Sequence, residues 1–402
     1  ILSGLVGSEM CIRDRSGAVA PTSVHSPSAS TAKKRARFHT LVVDEVRPLT
    51  EDSVEVSFTV PAELADDYDH LPGQYVALRT TLDGTEVRRS YSLCRAPEHR
   101  TAEQIAAGTP TRLSVAVKRD EGGLFSTWAQ TGLHAGFEID VMSPQGTFTS
   151  GLDDLDHRHV VGIAAGSGIT PLMALAHTVL TRSDSSRFTL LYTNRSTLDV
   201  MFLEDLADLK DRYPTRVTLH HVLSREQRTA PVLSGRIDEE KLRTILRMLI
   251  DPSDVDEWFL CGPLSLVDLC REVLADVGVP REHIRFELFT TGDEPVRAAR
   301  PVEVRAGAKT IRIEVNLDGV SSTVESPVDA HESVLNAALR VRPDAPFACA
   351  GGVCGTCRAR VIEGSVTMTE NYALEPDELD RGYVLTCQSH PTSDRVVVDY
   401  DV

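Results

Sequence analysis

FACAGGVCGTCRAR, residues 347–360, followed at 385–388 by LTCQ, places Cys349, Cys354, Cys357 and Cys387 in the pattern C-x4-C-x2-C-x29-C. Three thiols on one short loop and a fourth arriving from much further along the chain can close round a small metal cluster, because thiolates are soft anionic donors to ferric and ferrous iron. Gly351, Gly352 and Gly355 suit such a loop, since a chain folded tightly round a cluster needs positive φ and backbone N–H groups aimed at sulfur. A zinc knot or a pair of disulfides is the alternative, but zinc sites usually present two C-x2-C pairs and only one exists here. Around the loop, TIRIEV and VVVDY read as strands and SVLNAALRV as a helix, giving an α+β domain over 302–402.

Upstream, DEPVRAARP at 293–301 is polar, contains Pro and lacks periodicity, so it reads as a linker. From 155 to 292 the strand-like runs HVVGIAA, FTLLYT, VTLHHV, WFLC and IRFELF alternate with helical stretches such as PLMALAHTVL and LSLVDLCREVLADVG. That alternation predicts an α/β doubly wound parallel sheet. From 37 to 150 short alternating runs are broken by Gly and Pro, with Val54, Val56, Phe58 and Val60 of SVEVSFTV sharing one face. About six such strands predict an antiparallel β-barrel.

The segment before the barrel stands apart. ILSGLVGSEMCIRDR resembles translated adapter sequence, and the Ser/Ala/Pro-rich run after it makes residues 1–36 a disordered tail of non-native character. No basic n-region precedes Ile1–Val6, so secretion is not expected, and the reducing cytoplasm suits cysteines that crowd into one late region. A net charge of −17 argues against nucleic acid or an anionic membrane surface as partner. No run of 18 apolar residues is present to span a bilayer.

Two further stretches carry chemistry. In the barrel, RRSYSL sets Arg89, Ser90, Tyr91 and Ser92 in a row. Arg89 can fork onto a phosphate, Tyr91 offers a flat face for stacking, and Ser92 supplies a hydroxyl. The plain reading is a strand with an exposed Arg and a half-buried Tyr. Some thirty residues on, VAVKRDEGGLFSTWA runs from Val117 and Lys118 through Gly122, Gly123, Leu124 and Phe125 to Ser126 at an expected helix start, where backbone N–H groups can hold a pyrophosphate. In the α/β region, VVGIAAGSGITPLMAL turns from strand to helix through Gly166, Ser167, Gly168, Thr170 and Pro171, with Pro171 suited to a first helical turn.

Together these motifs resemble the ferredoxin–NADP reductase-like flavoproteins, fused here to a domain similar to plant-type [2Fe–2S] ferredoxins, which have a β-grasp fold. The resemblance spans the 366 residues after the tail. It implies a cofactor set of FAD, a [2Fe–2S] cluster on the four cysteines, and NADPH in preference to NADH. Arg89 to Ser92 would hold and organise the flavin, the 117–126 stretch its pyrophosphate, and GSGITP the nicotinamide nucleotide. Cys261, Gly262 and Pro263 would lie beside the nicotinamide, with Tyr91, Ser92 and Cys261 nearest the chemistry. Ser224 and Arg225, assisted by Arg195, would take the 2′-phosphate of NADPH, the alternative being that both arginines are solvated loop charges.

Within this group the sequence most resembles the reductase subunits of phenylacetyl-CoA 1,2-epoxidase complexes, through FHTLVVDEVRPLTEDSVEVSF, RRSYSLC and the tail from CAGGVCGTC to LTCQ. That resemblance implies electrons passing from NADPH through FAD and the cluster to the di-iron oxygenase subunit of a multicomponent system. The alternatives are the reductase of another aromatic-ring or steroid hydroxylase, and a flavin/iron–sulfur redox sensor. Residues 302–402 hold 9 basic and 16 acidic side chains, and Glu370, Glu375, Asp377, Glu378 and Asp380 form a candidate acidic docking rim.

Overall fold

The computed structural model describes residues 36–98, 100–149, 155–289, 309–374 and 376–402. The expected tail, apart from Ala36, and the expected linker at 293–301 lie outside the described residues. Alternating β-branched and polar residues build six strands: β1 (Phe38–Thr50), β2 (Ser53–Val60), β3 (Tyr75–Leu82), β4 (Thr85–Ser92), β5 (Thr111–Lys118) and β6 (Glu138–Met142). All pair antiparallel in the order β4-β3-β6-β1-β2-β5. A bridge between Leu93, just past β4, and Val115 on β5 joins the two ends and closes the barrel. Helix α1 (Ala102–Ala106) precedes β5, and α2 (Leu124–Gly132) follows it, burying Phe125 and Ala129 among Val56, Phe58, Leu78 and Val115.

Alternation in SVEVSFTV predicts one buried face for β2, yet Ser53, Glu55 and Ser57 on the other face are buried too. The cause is the next domain, which covers Glu55. Arg47 lies 2.7 Å from Glu55 and 2.9 Å from Asp205, while Arg95 lies 2.5 Å from Glu55 and 2.8 Å from Asp205. Two cations and two anions thus alternate across the seam, which is the arrangement that offsets the cost of burying charge.

Asp205 belongs to an α/β layer whose strands β7 (His159–Ala165), β8 (Arg187–Asn194), β9 (Val217–Leu223), β10 (Glu257–Gly262) and β11 (Ile284–Leu288) are all parallel, in the order β11-β10-β7-β8-β9. Helices α3 (Ile169–Arg182) and α4 (Leu203–Arg212) bury Leu172, Leu175 and Leu206 in one apolar cluster, and α5 (Glu239–Met248) and α6 (Leu264–Asp276) bury Leu242, Ile245 and Val267 in another. Two clusters on one sheet make it doubly wound, and the strand order reverses between β7 and β10, whose C-terminal ends are where such sheets bind ligands.

The last domain pairs β12 (Thr310–Leu317), β13 (Val320–Pro327), β14 (Arg358–Glu363), β16 (Tyr383–Leu385) and β18 (Arg395–Asp399) in the order β13-β12-β18-β14-β16, with β15 (Val366–Met368) and β17 (Ser389–Pro391) forming a small second sheet. The contact of β12 with β18 is parallel and the others are antiparallel. Helix α7 (Val334–Val341), capped where Ser333 Oγ accepts from Asn336 N, lays Val334, Leu335, Ala337 and Ala338 on this sheet, a β-grasp; α8 (Pro376–Asp380) precedes β16.

Candidate functional site

On β4, Arg89, Ser90, Tyr91 and Ser92 all line a cavity of about 1150 Å³. Arg89 donates to the Arg88 carbonyl at 2.7 Å, and the Tyr91 ring packs 5.7 Å from Phe125. Val117 and Phe125 turn their side chains into the barrel core, so only their backbone can reach a ligand. Gly123 is the N-cap of α2, and Gly122 beside it has φ +77 with nothing within 4 Å of where a Cβ would stand. Ser126 Oγ accepts from Asp120 N and donates to Gly123 O, so it shapes this turn. Lys118 lies on the same wall, 3.5 Å from Asp52.

The second wall comes from the α/β layer. Gly166 follows β7 with φ +53, again with nothing within 4 Å of a would-be Cβ. Thr170 Oγ1 donates to Ser167 O, and both residues line the cavity, while Pro171 sits buried in the first turn of α3. Gly168 is required by contact: a Cβ there would stand 2.1 Å from the Cys261 carbonyl oxygen. Cys261 and Gly262 end β10 and Pro263 is the N-cap of α6. The Cys261 side chain is itself buried, and the residue facing it across the parallel register is Glu287.

Glu287 is a cavity residue that the sequence does not single out. It lines the cavity and accepts from Ser92 Oγ at 2.9 Å, joining the barrel to the α/β layer. Burial pushes its carboxyl up to about 7, against the pull of the Ser92 hydrogen bond. Burial and the neighbouring Glu287 push the Cys261 thiol up as well, which keeps it neutral. A lone carboxyl in the apolar strand IRFELF was the one available signal.

Ser224, Arg225 and Arg195 sit on adjacent loops at the C-terminal ends of β8 and β9. Arg225 N donates to Arg195 O, and Ser224 N donates to Asn194 O. Arg225 is exposed, whereas Arg195 is held by Asp199 and lies 3.5 Å from Asp52. Asp52 therefore links this arginine pair to Lys118 and the cavity.

Cys349, Cys354 and Cys387 line the same cavity from the third domain, with Cys357 buried behind them. The thiols neighbour one another in two pairs, Cys349 with Cys354 and Cys357 with Cys387, each close enough for one to shift the other's titration. Every described cysteine is free, so no disulfide competes for them. Two thiols for each of two irons is the donor set of a [2Fe–2S] cluster. Cys349 Sγ accepts from Gly351 N at 3.3 Å and from Cys354 N at 3.4 Å. Gly352 and Gly355 take positive φ, but Gly351 does not, and Ala350 at φ +50 takes its place. Of the acidic rim, Asp377 pairs with Arg381 and Glu378 with Arg358, and Glu375 lies outside the described residues.

One cavity thus has a barrel wall, a sheet wall and a thiol wall. Its donors fit a phosphate-bearing aromatic cofactor. Ser90 Oγ is buried with no protein partner, two backbone turns leave room where a side chain would stand, and Arg89 and Lys118 bring positive charge.

Residues 40–150 match the family described as oxidoreductase FAD-binding domain, 163–272 that of the oxidoreductase NAD-binding domain, and 315–392 that of the 2Fe-2S iron-sulfur cluster binding domain. The chain belongs to the ferredoxin–NADP reductase-like oxidoreductases that carry FAD, NAD(P)H and [2Fe–2S] domains on one polypeptide. It is 42% identical over 364 residues to a subunit of the 1,2-phenylacetyl-CoA epoxidase of Escherichia coli (strain K12), covering 90% of this chain and 98% of the relative. It is 32% identical to the ferredoxin reductase component of 3-ketosteroid-9-alpha-monooxygenase of Rhodococcus rhodochrous, covering 90% and 96%. Phthalate dioxygenase reductase shares the fold, with a TM-score of 0.54 at 21% identity over 90% of this chain and 98% of its own. Among the described residues no helix is long and apolar enough to cross a membrane.

Proposed function

We propose that this chain is the NADPH-fed reductase of a multicomponent di-iron oxygenase, and that the oxygenase is a phenylacetyl-CoA epoxidase acting in phenylacetate degradation. The 42% identity along nearly the full length of the Escherichia coli epoxidase component supports the choice of partner. The observation that carries the relay is the single cavity faced by Ser92, Thr170 and Cys354, one residue from each domain.

In this reading Arg89, Ser90 and the α2 N-terminus at Gly123 to Ser126 hold the phosphates and ribityl chain of FAD, and Tyr91 stacks on the ring system. Gly166 to Pro171 seat the nicotinamide nucleotide, with Cys261, Gly262 and Pro263 backing it. Ser224 and Arg225 take the 2′-phosphate, because an exposed guanidinium with a neighbouring hydroxyl suits a dianion. FAD bound there would supply hydride acceptance, and a cluster on the four cysteines would supply one-electron transfer. Ser92 and Glu287 would hold a proton-bearing hydrogen bond on the cavity wall that joins the barrel to the α/β layer. Cys349, Cys354, Cys357 and Cys387 ligate the cluster. Thiolate ligands and reduced nicotinamide both suit a reducing compartment such as the cytoplasm.

Reconstitution with purified candidate oxygenases, following NADPH consumption and product together, tests this reading. Tight coupling with phenylacetyl-CoA is expected. Coupling only to a steroid or another aromatic substrate would overturn the partner, and absence of any NADPH-driven dye reduction would overturn the relay.

A further inference from the structure

We propose that Tyr75 is a positioning residue that pins the cluster loop to the flavin barrel and sets which donors reach the Cys354 sulfur. Tyr75 opens β3 directly opposite Ser92 of β4, so both side chains stand on one face of the antiparallel pair. Its hydroxyl lies 2.7 Å from the carbonyl oxygen of Cys354, which is 279 residues away in sequence, and it also bonds Thr356 Oγ1.

A phenol has one hydrogen, and a carbonyl only accepts. The Tyr75 hydrogen therefore goes to Cys354 O, and Thr356 is the donor in the Tyr75–Thr356 bond. Thr356 Oγ1 lies 3.1 Å from Cys354 Sγ, but its single hydrogen is already taken. What remains for the sulfur from Thr356 is the backbone N–H at 3.5 Å.

A second contact fixes the same loop. Arg88, only 7% exposed, stacks its guanidinium 4.2 Å over the ring of Phe347, two residues before Cys349. Ala348 packs in one small apolar cluster with Tyr75 and Met142. The bed of the cluster is thus built partly by barrel strands.

Removing the Tyr75 hydroxyl has two consequences of opposite sign. It frees Thr356 to donate to Cys354 Sγ, and an added donor favours the more negative, reduced cluster, raising its midpoint potential. It also removes the strut that holds the loop at the flavin seat. In the passage it serves, reduced flavin loses one electron for each electron the cluster gains. A higher potential alone would speed that passage, so slowing reports lost positioning.

The inference rests on the relay proposed above. The experiment uses holoprotein carrying FAD and cluster, with the cluster potential followed by electron paramagnetic resonance during a dithionite titration and the two reductions followed by anaerobic stopped flow. In Tyr75→Phe the potential is expected to rise, flavin reduction by NADPH to stay within about twofold, and flavin-to-cluster transfer to slow about tenfold, the scale of a small misplacement of reacting groups. In a Thr356→Val background the same change is expected to leave the potential where it was. An unshifted potential with an unslowed transfer, an equal slowing of flavin reduction, or an identical potential shift in the Thr356→Val background would each overturn the proposal. Should Tyr75→Phe not fold, Thr356→Val alone decides: an unchanged potential is expected, and a lowered one would show that Thr356 already donates to sulfur. A wild-type chain whose cluster NADPH does not reduce would instead sink the relay.

Discussion

Glu287→Gln should remove a pH dependence from the folded protein. Burial lifts this carboxyl from 4.5 to about 7, and one pKa unit is worth about 1.4 kcal/mol. A carboxyl whose folded pKa is raised binds its proton more tightly folded than unfolded. Its stabilisation is complete below about 4.5, falls as pH rises, and is gone above about 7. The whole span is about 3 kcal/mol, of which about 2 kcal/mol lies between pH 5.5 and 8. Gln keeps the shape and can still accept from Ser92 Oγ, but it does not titrate. Urea denaturation of flavin-free protein at several pH values, read by fluorescence with Trp258 buried in β10 of the same sheet, measures the difference. Wild type should lose about 2 kcal/mol between pH 5.5 and 8 where the variant does not. The rate of flavin reduction should inflect near 7 in wild type only. Parallel stability profiles for the two proteins would refute the reasoning.

Other sites give sharper single outcomes. Gly168→Ala drives a methyl into the Cys261 carbonyl, 2.1 Å away, and should raise the KM for NADPH at least tenfold, roughly, as the turn is displaced. Arg225→Ala should weaken NADPH by about 1.5–3 kcal/mol in KM and leave NADH nearly unchanged, while Arg195→Ala should do less because Asp199 already engages it. Cys387→Ser should abolish the cluster's paramagnetic signal while NADPH still reduces the flavin. Glu55→Gln should destabilise by about 1–3 kcal/mol in chemical denaturation, since Arg47 and Arg95 lose one of their two shared partners and keep only Asp205. Burial pushes Glu55 up, but the two arginines outweigh it and hold the carboxyl below its usual range. Its contribution is therefore present above the ordinary Glu pKa and lost as pH falls through the depressed one.

Local spacing made most of this molecule legible. The three-layer order of barrel, parallel sheet and β-grasp follows from the change of period at His159 and again in the last hundred residues. The cysteine pattern and the glycine turns stand out in the sequence because most of their members are close neighbours in it. Residues whose meaning lies across the chain did not. Glu287 sits in IRFELF and Tyr75 in QYVALRT, runs that read as ordinary strands, and their partners are 195 and 279 residues away. Glu55 looked like the solvent side of β2 because its cover is supplied by Arg95 and by α4 of another domain. Ala350 was hidden for a different reason: a loop of glycines does not announce that an alanine carries one of its left-handed turns.

The three-walled cavity also orders the chain's biosynthesis. Its barrel wall is complete only once β6 ends at Met142, whereas its thiol wall begins at Cys349, 207 residues later. At about 5–20 residues per second, the first wall waits on the ribosome for roughly 10–40 s before the last exists. FAD meeting the nascent chain finds a seat open on the side that the ferredoxin domain later occupies. Closure of that side falls to the final hundred residues, so a chain truncated before Cys349 should exchange its flavin with solution far faster than the finished protein.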